Sequence, residues 1–418
     1  VAWAEREAED YLLGLEVFGM HFGLERMHRL MTALGMPQRR FAEIHVVGSN
    51  GKSSTVRFIA AILERHGLRT GSFTSPHLRR FRERIEVGEQ AIAPERFAAA
   101  VERAAAEAGS VDRAADDESD RVTQFEALTA AAFHELASRE VEVAVIEAGL
   151  GGRYDATNVI PSSVQVLTGV SLEHTRWLGS TIAEIAAEKL AVVRDYATLV
   201  VAPDLHPDAR AVAEEVAAER HAELIEAPPE LDVDLRAPGA FQRRNFALAA
   251  AAAIAFLGRA PDLEAIYRAG VETRVPGRLD VVSQSPLTVF DGAHNPSGVA
   301  ALAGSLPSVV GERSPVVLVA SVLEDKDAGA MLGQLLPLAD RVVLTRCSNP
   351  RALAAEELTE RVGDRAAGTP VEVVAEPGAA LARARSIAGP DGAVIATGSI
   401  YLIADLVREA GDTRVSTL

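Results

Sequence analysis

Runs of apolar, β-branched residues alternate with helix-period segments along nearly the whole chain, and this alternation restricts it to parallel sheets covered by helices. Phe41 to Val47 reads as a strand and Ser53 to His66 as the helix after it, stopped by Gly67. Then come a strand at Arg69 to Thr74, a helix at Gln124 to Ser138 and a buried strand at Val141 to Glu147. A strand at Val164 to Val170, a helix at Thr181 to Val193 and a strand at Thr198 to Ala202 follow. A second series begins after Val271, with strands at Leu287 to Phe290, Val316 to Ala320, Arg341 to Leu344, Val371 to Val374 and Ala393 to Ala396. With 418 residues the chain is too long for one ordinary core, so two α/β domains are expected. The first is placed at 1–272, a linker rich in proline and glycine at 273–285, and a Rossmann-like doubly wound domain at 286–418.

The formal net charge of −17 argues against a nucleic-acid partner, which would demand a basic face. Cys347 is the only cysteine, so no internal disulfide can form. The first residues, VAWAEREAEDYLLGLE, lack the basic start and apolar run of a signal peptide, and no stretch is apolar enough to span a bilayer. A cytoplasmic protein with no membrane partner, acting as a monomer, is the expectation. Ser110 to Asp120 (SVDRAADDESD) reads as a charged, solvated loop. Of 42 basic residues only Lys52, Lys189 and Lys326 are lysines. A lysine kept in so arginine-rich a chain points to work a guanidinium cannot do, such as binding phosphate as a compact ammonium or serving as a modifiable amine.

VVGSNGKSST (Val46 to Thr55) follows a strand and opens a helix, where backbone N–H groups and a helix N-terminus can face phosphates. Gly48 and Gly51 permit the tight turn, Lys52 can reach the outer phosphates, and Ser53 or Ser54 can touch a metal. Only Ser49 and Asn50 separate the first glycine from Gly-Lys, a shorter loop than the strict P-loop pattern. Glu147 ends a buried strand, at the edge where open α/β sheets bind ligands. With His174 after the next strand and the Ser75 hydroxyl after an earlier one, it could form a magnesium site.

The short GxxGK loop resembles that of the Mur ligase superfamily. Further blocks resemble folylpolyglutamate and dihydrofolate synthases: FGMHFGLERMHRLMTALG (Phe18 to Gly35), FTSPHLRRFRERI (Phe73 to Ile85), TQFEALTAAAF (Thr123 to Phe133) and EAGLGGRYDATN (Glu147 to Asn158). EHTRWLGSTIAEIAAEKL, AFQRRN, GRLD, DGAHNP, DKD and TGSIYL continue the series in order. The chain departs from the usual pattern with GSNGKSS in the phosphate loop, Glu173 before His174, LAVVR after Lys189, no histidine in AFQRRN, and Asp280.

The resemblance implies an N-terminal P-loop ATPase domain and a Rossmann-like C-terminal domain, with the active site between them. It implies ATP contacts at Gly48, Ser49, Asn50, Gly51, Lys52, Ser53, Ser54, Asn245, Arg278 and Asp291. Two magnesium sites drawing on Ser53, Ser75, Glu147, His174 and a carbamylated Lys189 are expected, and potassium is admitted as a further cation. The substrate side is expected to use Ser75, His77, Thr123, Phe125, Arg153 and Asp155, with the pterin against Thr123, Phe125 and Asp155, and glutamate near His294 and Ser399. Lys52, Glu147, His174, Lys189, Arg278 and His294 are the expected catalytic residues. The implied reaction is ATP-dependent addition of L-glutamate to dihydropteroate or a folate through an acyl phosphate. A Mur-type ligase acting on another carboxylate, a P-loop ATPase or kinase of another class, and a silent folate-binding paralogue are the alternatives.

Overall fold

The computed structural model describes residues 2–15, 23–114, 120–363 and 368–408. The chain divides into two compact units. The first comprises Val1–Pro76, Arg80–Asp234 and Arg244–Thr273; the second comprises His77–Arg79, Leu235–Arg243 and Arg274–Leu418.

The first unit is built on eight strands: β1 (Ala42–Val47), β2 (Thr70–Phe73), β3 (Ile85–Val87), β4 (Gln90–Ala91), β5 (Val143–Glu147), β6 (Val164–Leu167), β7 (Thr198–Val201) and β8 (Glu223–Glu226). Their order is β4-β3-β2-β5-β1-β6-β7-β8. β3 and β4 run antiparallel to their neighbours, and every other pairing is parallel. Strands covered on both faces read as continuous apolar runs, and Ile44, Val46 and Val47 of β1 are fully buried. The helix Lys52–Arg65 is buried along most of its length through Val56, Phe58, Ile59, Ile62 and Leu63, with Phe58 edge-on to Phe246 at 5.2 Å. The helix Gln124–Ser138 starts from a capping box in which Thr123 and Glu126 satisfy each other's backbone N–H groups.

The second unit carries β9 (Asp280–Gln284), β10 (Leu287–Phe290), β11 (Val316–Ala320), β12 (Arg341–Leu344), β13 (Val371–Val373) and β14 (Ala393–Thr397), in the order β13-β12-β11-β14-β10-β9. All pairs are parallel except β9 with β10. β9 lies within the stretch expected as a linker. Its proline and glycine precede the strand, and Asp280 to Gln284 then pair as an antiparallel edge, where polar residues are tolerated. The segment expected as a charged loop from Ser110 starts helical, since the helix Pro94–Arg113 continues into it. Residues 115–119 of that loop, and 18–22 of the first resembling block, lie outside the described residues. Among the described residues no helix is long and apolar enough to cross a membrane.

β1 carries two polar side chains into the interior. Glu43 and His45 share one face of the strand, and His45 stands in register with Gln165 of β6. Glu43 is 3% exposed, and His45 and Gln165 are fully buried. Burial pushes the Glu43 carboxyl up to about 8, with Arg194 opposing. Burial, reinforced by Arg194, pulls His45 down to about 3, so the imidazole is neutral.

These shifts have opposite signs. A carboxyl raised from 4.5 to about 8 keeps a proton that the unfolded chain loses, so stability falls as pH rises through that window. For His45 stability is lost as pH falls from 6.5 toward about 3. Glu43→Gln should remove the first dependence. Denaturant unfolding at a series of pH values should show the variant gaining on wild type by a few kcal/mol between about pH 5 and 8. Parallel curves would contradict the assignment.

Candidate active site

The loop after β1 is held by the loop after β6. Ser49 N donates to Gly169 O at 2.8 Å, Ser171 N donates to Ser49 Oγ at 3.0 Å, and Thr168 Oγ1 donates to Asn50 O at 2.6 Å. The turn has φ of 147° at Gly48 and 85° at Gly51, values that favour glycine. Side chains there would also collide: a Cβ on Gly48 meets Thr168 Oγ1, and one on Gly51 meets Asn245 Oδ1. Asn245, expected to contact nucleotide, therefore sits directly against the phosphate loop. Lys52 folds back over the loop and donates to Gly48 O at 3.0 Å and Ser49 O at 3.4 Å. Ser54 is buried two residues further on.

Ser53, Ser75 and Glu147 meet, Ser75 through its backbone N–H and not through the hydroxyl the sequence pointed to. Ser53 Oγ donates to Glu147 Oε1 at 3.0 Å, and Ser75 N donates to Glu147 Oε2 at 3.1 Å. Glu147 is 2% exposed and lies in register with Val46, two residues before the phosphate loop. One carboxylate with the Ser53 hydroxyl beside a phosphate loop is a donor set that fits magnesium, which takes its remaining ligands from phosphate and water. Among the described residues no three His, Cys, Asp or Glu side chains gather as a metal cluster. His174 is exposed, with φ of 47° in the left-handed region, where a non-glycine residue is strained.

Lys189 is buried in the last turn of the helix Ile182–Leu190. Its ammonium donates to Gly48 O at 3.1 Å and to Glu173 Oε1 at 2.9 Å. Burial depresses the Lys189 pKa against the pull of Glu173. Burial also opposes ionisation of Glu173, but Lys189 and Lys52 outweigh it and bring that carboxyl down to about 2.

The turn after β5 brings Asp155 beside Phe125. Asp155 accepts from Leu150 N at 2.8 Å, from Thr157 N at 3.0 Å and, through a short bond, from Thr157 Oγ1. Burial raises its pKa, and these donors oppose the rise. A Cβ on Gly149 would lie 2.6 Å from Phe125 and 3.1 Å from Asp155 Oδ2, so ring and carboxylate flank the same glycine. Phe125 is only partly buried and tilts over Phe73 at 5.9 Å. Thr123 caps its helix and bonds to Glu126, whose carboxylate also pairs with Arg26, and Arg153 pairs with Glu188 at 3.1 Å on the surface.

In the second unit Asp291 follows β10 and accepts from Leu279 N and Ala293 N, both at 2.8 Å. Burial raises its pKa and Arg278 opposes. A side chain at Gly292 would strike the Arg278 guanidinium. Arg278 also lines a cavity of about 790 Å³ with Arg79, Arg236, Arg274 and Arg385. His294 Nδ1 donates to Gly292 O at 2.9 Å, which fixes the ring against the turn after β10. Ser399 is buried and caps the helix Ile400–Val407, His77 is buried in the segment grouped with this unit, and Lys326 pairs with Asp325 at 3.0 Å.

Four participants have no clear signal in the sequence: Thr168, Glu173 as the partner of Lys189, and the pair His45 and Thr157. All are joined by contacts across many residues of chain. The nearest to a signal is Glu173, an acidic residue beside the flagged His174.

The family model of the Mur ligase glutamate ligase domain matches residues 277–400. The chain is 32% identical to the dihydrofolate synthase/folylpolyglutamate synthase of Bacillus subtilis, over 96% of this chain and 98% of that protein. It is 30% identical to the Escherichia coli protein of the same description, over 97% of this chain and 95% of that protein. It is also 35% identical to a probable bifunctional folylpolyglutamate synthase/dihydropteroate synthase of Haloferax volcanii, covering 96% of this chain but 50% of that longer protein. Among solved structures it is similar to Mycobacterium tuberculosis folylpolyglutamate synthase complexed with ADP, with a TM-score of 0.89 and 30% identity over 96% of both chains. Escherichia coli FolC in complex with DHPP and ADP gives a TM-score of 0.85 at 28% identity, again over 96% of both chains. With similarity of sequence and fold over nearly the whole of both chains, the chain belongs to the dihydrofolate synthase/folylpolyglutamate synthase family.

Proposed function

We propose that the chain is an ATP- and magnesium-dependent amide ligase that joins L-glutamate to dihydropteroate or a reduced folate through an acyl phosphate. The observation that carries this reading is Glu147, whose two oxygens accept from Ser53 Oγ and Ser75 N at the mouth of the phosphate loop. A buried carboxylate placed there suits a metal-bound triphosphate better than a purely structural role. Magnesium held by Ser53, Ser75 and Glu147 would offset the charge of the transferring phosphate.

The chain's own residues supply positioning and charge. Lys52 is close enough to the loop to exchange its carbonyl partners for phosphate oxygens. Partly buried Phe125 and buried Asp155 suit a flat, hydrogen-bonding heterocycle. The acceptor carboxylate attacks the terminal phosphorus, and the bond to ADP breaks. The glutamate amine then attacks the acyl carbon, and inorganic phosphate leaves. Before that attack the glutamate ammonium must lose a proton, which leaves the nitrogen lone pair free to form the amide bond.

Lys189 supports two readings. A neutral amine, favoured by burial, can capture carbon dioxide and release a proton, leaving a carbamate anion near the phosphate loop. The ion pair with Glu173 instead favours an unmodified ammonium that fixes Gly48.

Glutamate ligation should fall by at least about a hundredfold in Glu147→Gln, and excess magnesium should restore it only in part. Wild-type behaviour across a magnesium titration would make Glu147 structural and remove the main support for the proposal. Lys189→Arg separates the other two readings in the same assay. A carbamate requires the arginine variant to be as inactive as Lys189→Ala, whereas an ammonium clamp lets arginine keep a substantial part of the rate.

A further inference from the structure

The turn that brings Asp155 beside Phe125 is supported from beneath by a fully buried histidine on β1. His45 Nε2 lies 2.8 Å from Thr157 Oγ1, and Thr157 Oγ1 is bonded in turn to Asp155 Oδ1. His45 and Thr157 are both 0% exposed. The Thr157 hydroxyl has one proton, and its direction sets the polarity of the chain. Burial raises the Asp155 pKa, but its two oxygens accept from the backbone N–H groups of Leu150 and Thr157, an arrangement that favours the carboxylate over the carboxylic acid. An ionised Asp155 can only accept, so Thr157 Oγ1 donates to it. Thr157 must then accept from His45, which places the imidazole proton on Nε2. Among the described residues His45 Nδ1, the remaining acceptor nitrogen, has no hydrogen-bond partner.

We propose that His45 is a positioning residue for the acceptor substrate: through its Nε2–H and the Thr157 hydroxyl it fixes the rotamer of Asp155, and so the orientation in which the carboxylate meets the pteridine. This rests on the reading of Asp155 and Phe125 as the acceptor pocket. Arg194 holds the same short turn from another side. It donates to Asn158 O at 2.7 Å and to Asn158 Oδ1 at 2.8 Å, so Thr157 has little freedom to follow a displaced Asp155. An apolar side chain could fill the His45 site as well by volume, but it would leave the Thr157 oxygen without its donor.

The test compares His45→Leu, His45→Gln and His45→Asn in full-length protein with dihydropteroate as acceptor. Glutamine carries an N–H at about the reach of Nε2, and asparagine carries one nearer the position of Nδ1. His45→Leu should raise the KM for dihydropteroate about tenfold, the scale of one charge-linked hydrogen bond, with kcat and the KM for ATP within about twofold. Glutamine should restore the acceptor KM and asparagine should not. Thr157→Val should match His45→Leu, and the double variant should be no worse than either single one, because both break one chain. Loss of ATP and acceptor affinity together, or equal behaviour of leucine and glutamine, would overturn the proposal and leave His45 a packing residue. Nitrogen-15 NMR of the wild-type imidazole gives a reading that needs no variant to fold: an Nε2–H tautomer is expected, and an Nδ1–H tautomer would overturn the relay. If the wild-type protein turns over no pteridine acceptor, the proposed function falls. The relay is then judged by that tautomer and by whether Asp155 changes rotamer in crystals of His45→Leu.

Discussion

The carbonyl oxygen of Gly48 accepts from two ammonium groups, Lys52 at 3.0 Å and Lys189 at 3.1 Å, and the first unit's chemistry is arranged around that convergence. The lysines come from different helices, one opening directly from the phosphate loop and one ending a helix far along the chain. With both lysines protonated, their combined charge would make a locally positive site in a protein whose formal net charge is −17. Part of that charge is answered by Glu173. Burial alone would protonate its carboxyl, and the two lysines together keep it ionised. A phosphate arriving at the loop would meet backbone N–H groups and an ammonium already held within a few ångströms of its destination. Such preorganisation suits phosphoryl transfer, where the protein's task is positioning and charge stabilisation.

Sheet order explains how distant residues reach this point. β1 lies between β5 and β6, parallel to both, with Val46 beside Glu147 and Val47 beside Leu167. The loops that follow the three strands therefore emerge side by side at one sheet edge, where open α/β sheets bind ligands. The first carries Gly48 to Lys52, the second Glu147 to Asn158, and the third Thr168 to His174. Close approach is secured by glycine: a side chain at Gly152 would collide with the backbone of Lys189, so the substrate-side turn packs directly on the helix that delivers the lysine.

Much of this was legible before the structure. The strand–loop–helix around Lys52, the end of a buried strand at Glu147 and the survival of lysine at position 189 are local signals, and local signals are what a sequence carries well. The capping box of Thr123 and Glu126 was equally open to reading, and it gives the Thr123 hydroxyl a structural task beside any contact with substrate. What remained hidden depends on tertiary pairing. His45 meets Thr157 across 112 residues and Lys52 meets Lys189 only through the oxygen of Gly48, relations without a spacing rule. The linker was overextended for a related reason: Pro276 and Gly277 announce a break, but the partnership of Asp280 to Gln284 with β10 follows from the sheet.

In the proposed reaction ATP activates the acceptor by forming an acyl phosphate. Dihydropteroate labelled with oxygen-18 in its carboxylate, turned over with ATP and L-glutamate, tests this most directly. The account predicts that each amide formed delivers one labelled oxygen to the released inorganic phosphate, with ADP produced in equal amount. Unlabelled phosphate alongside normal amide formation, or ATP turnover independent of both acceptor and glutamate, would contradict it.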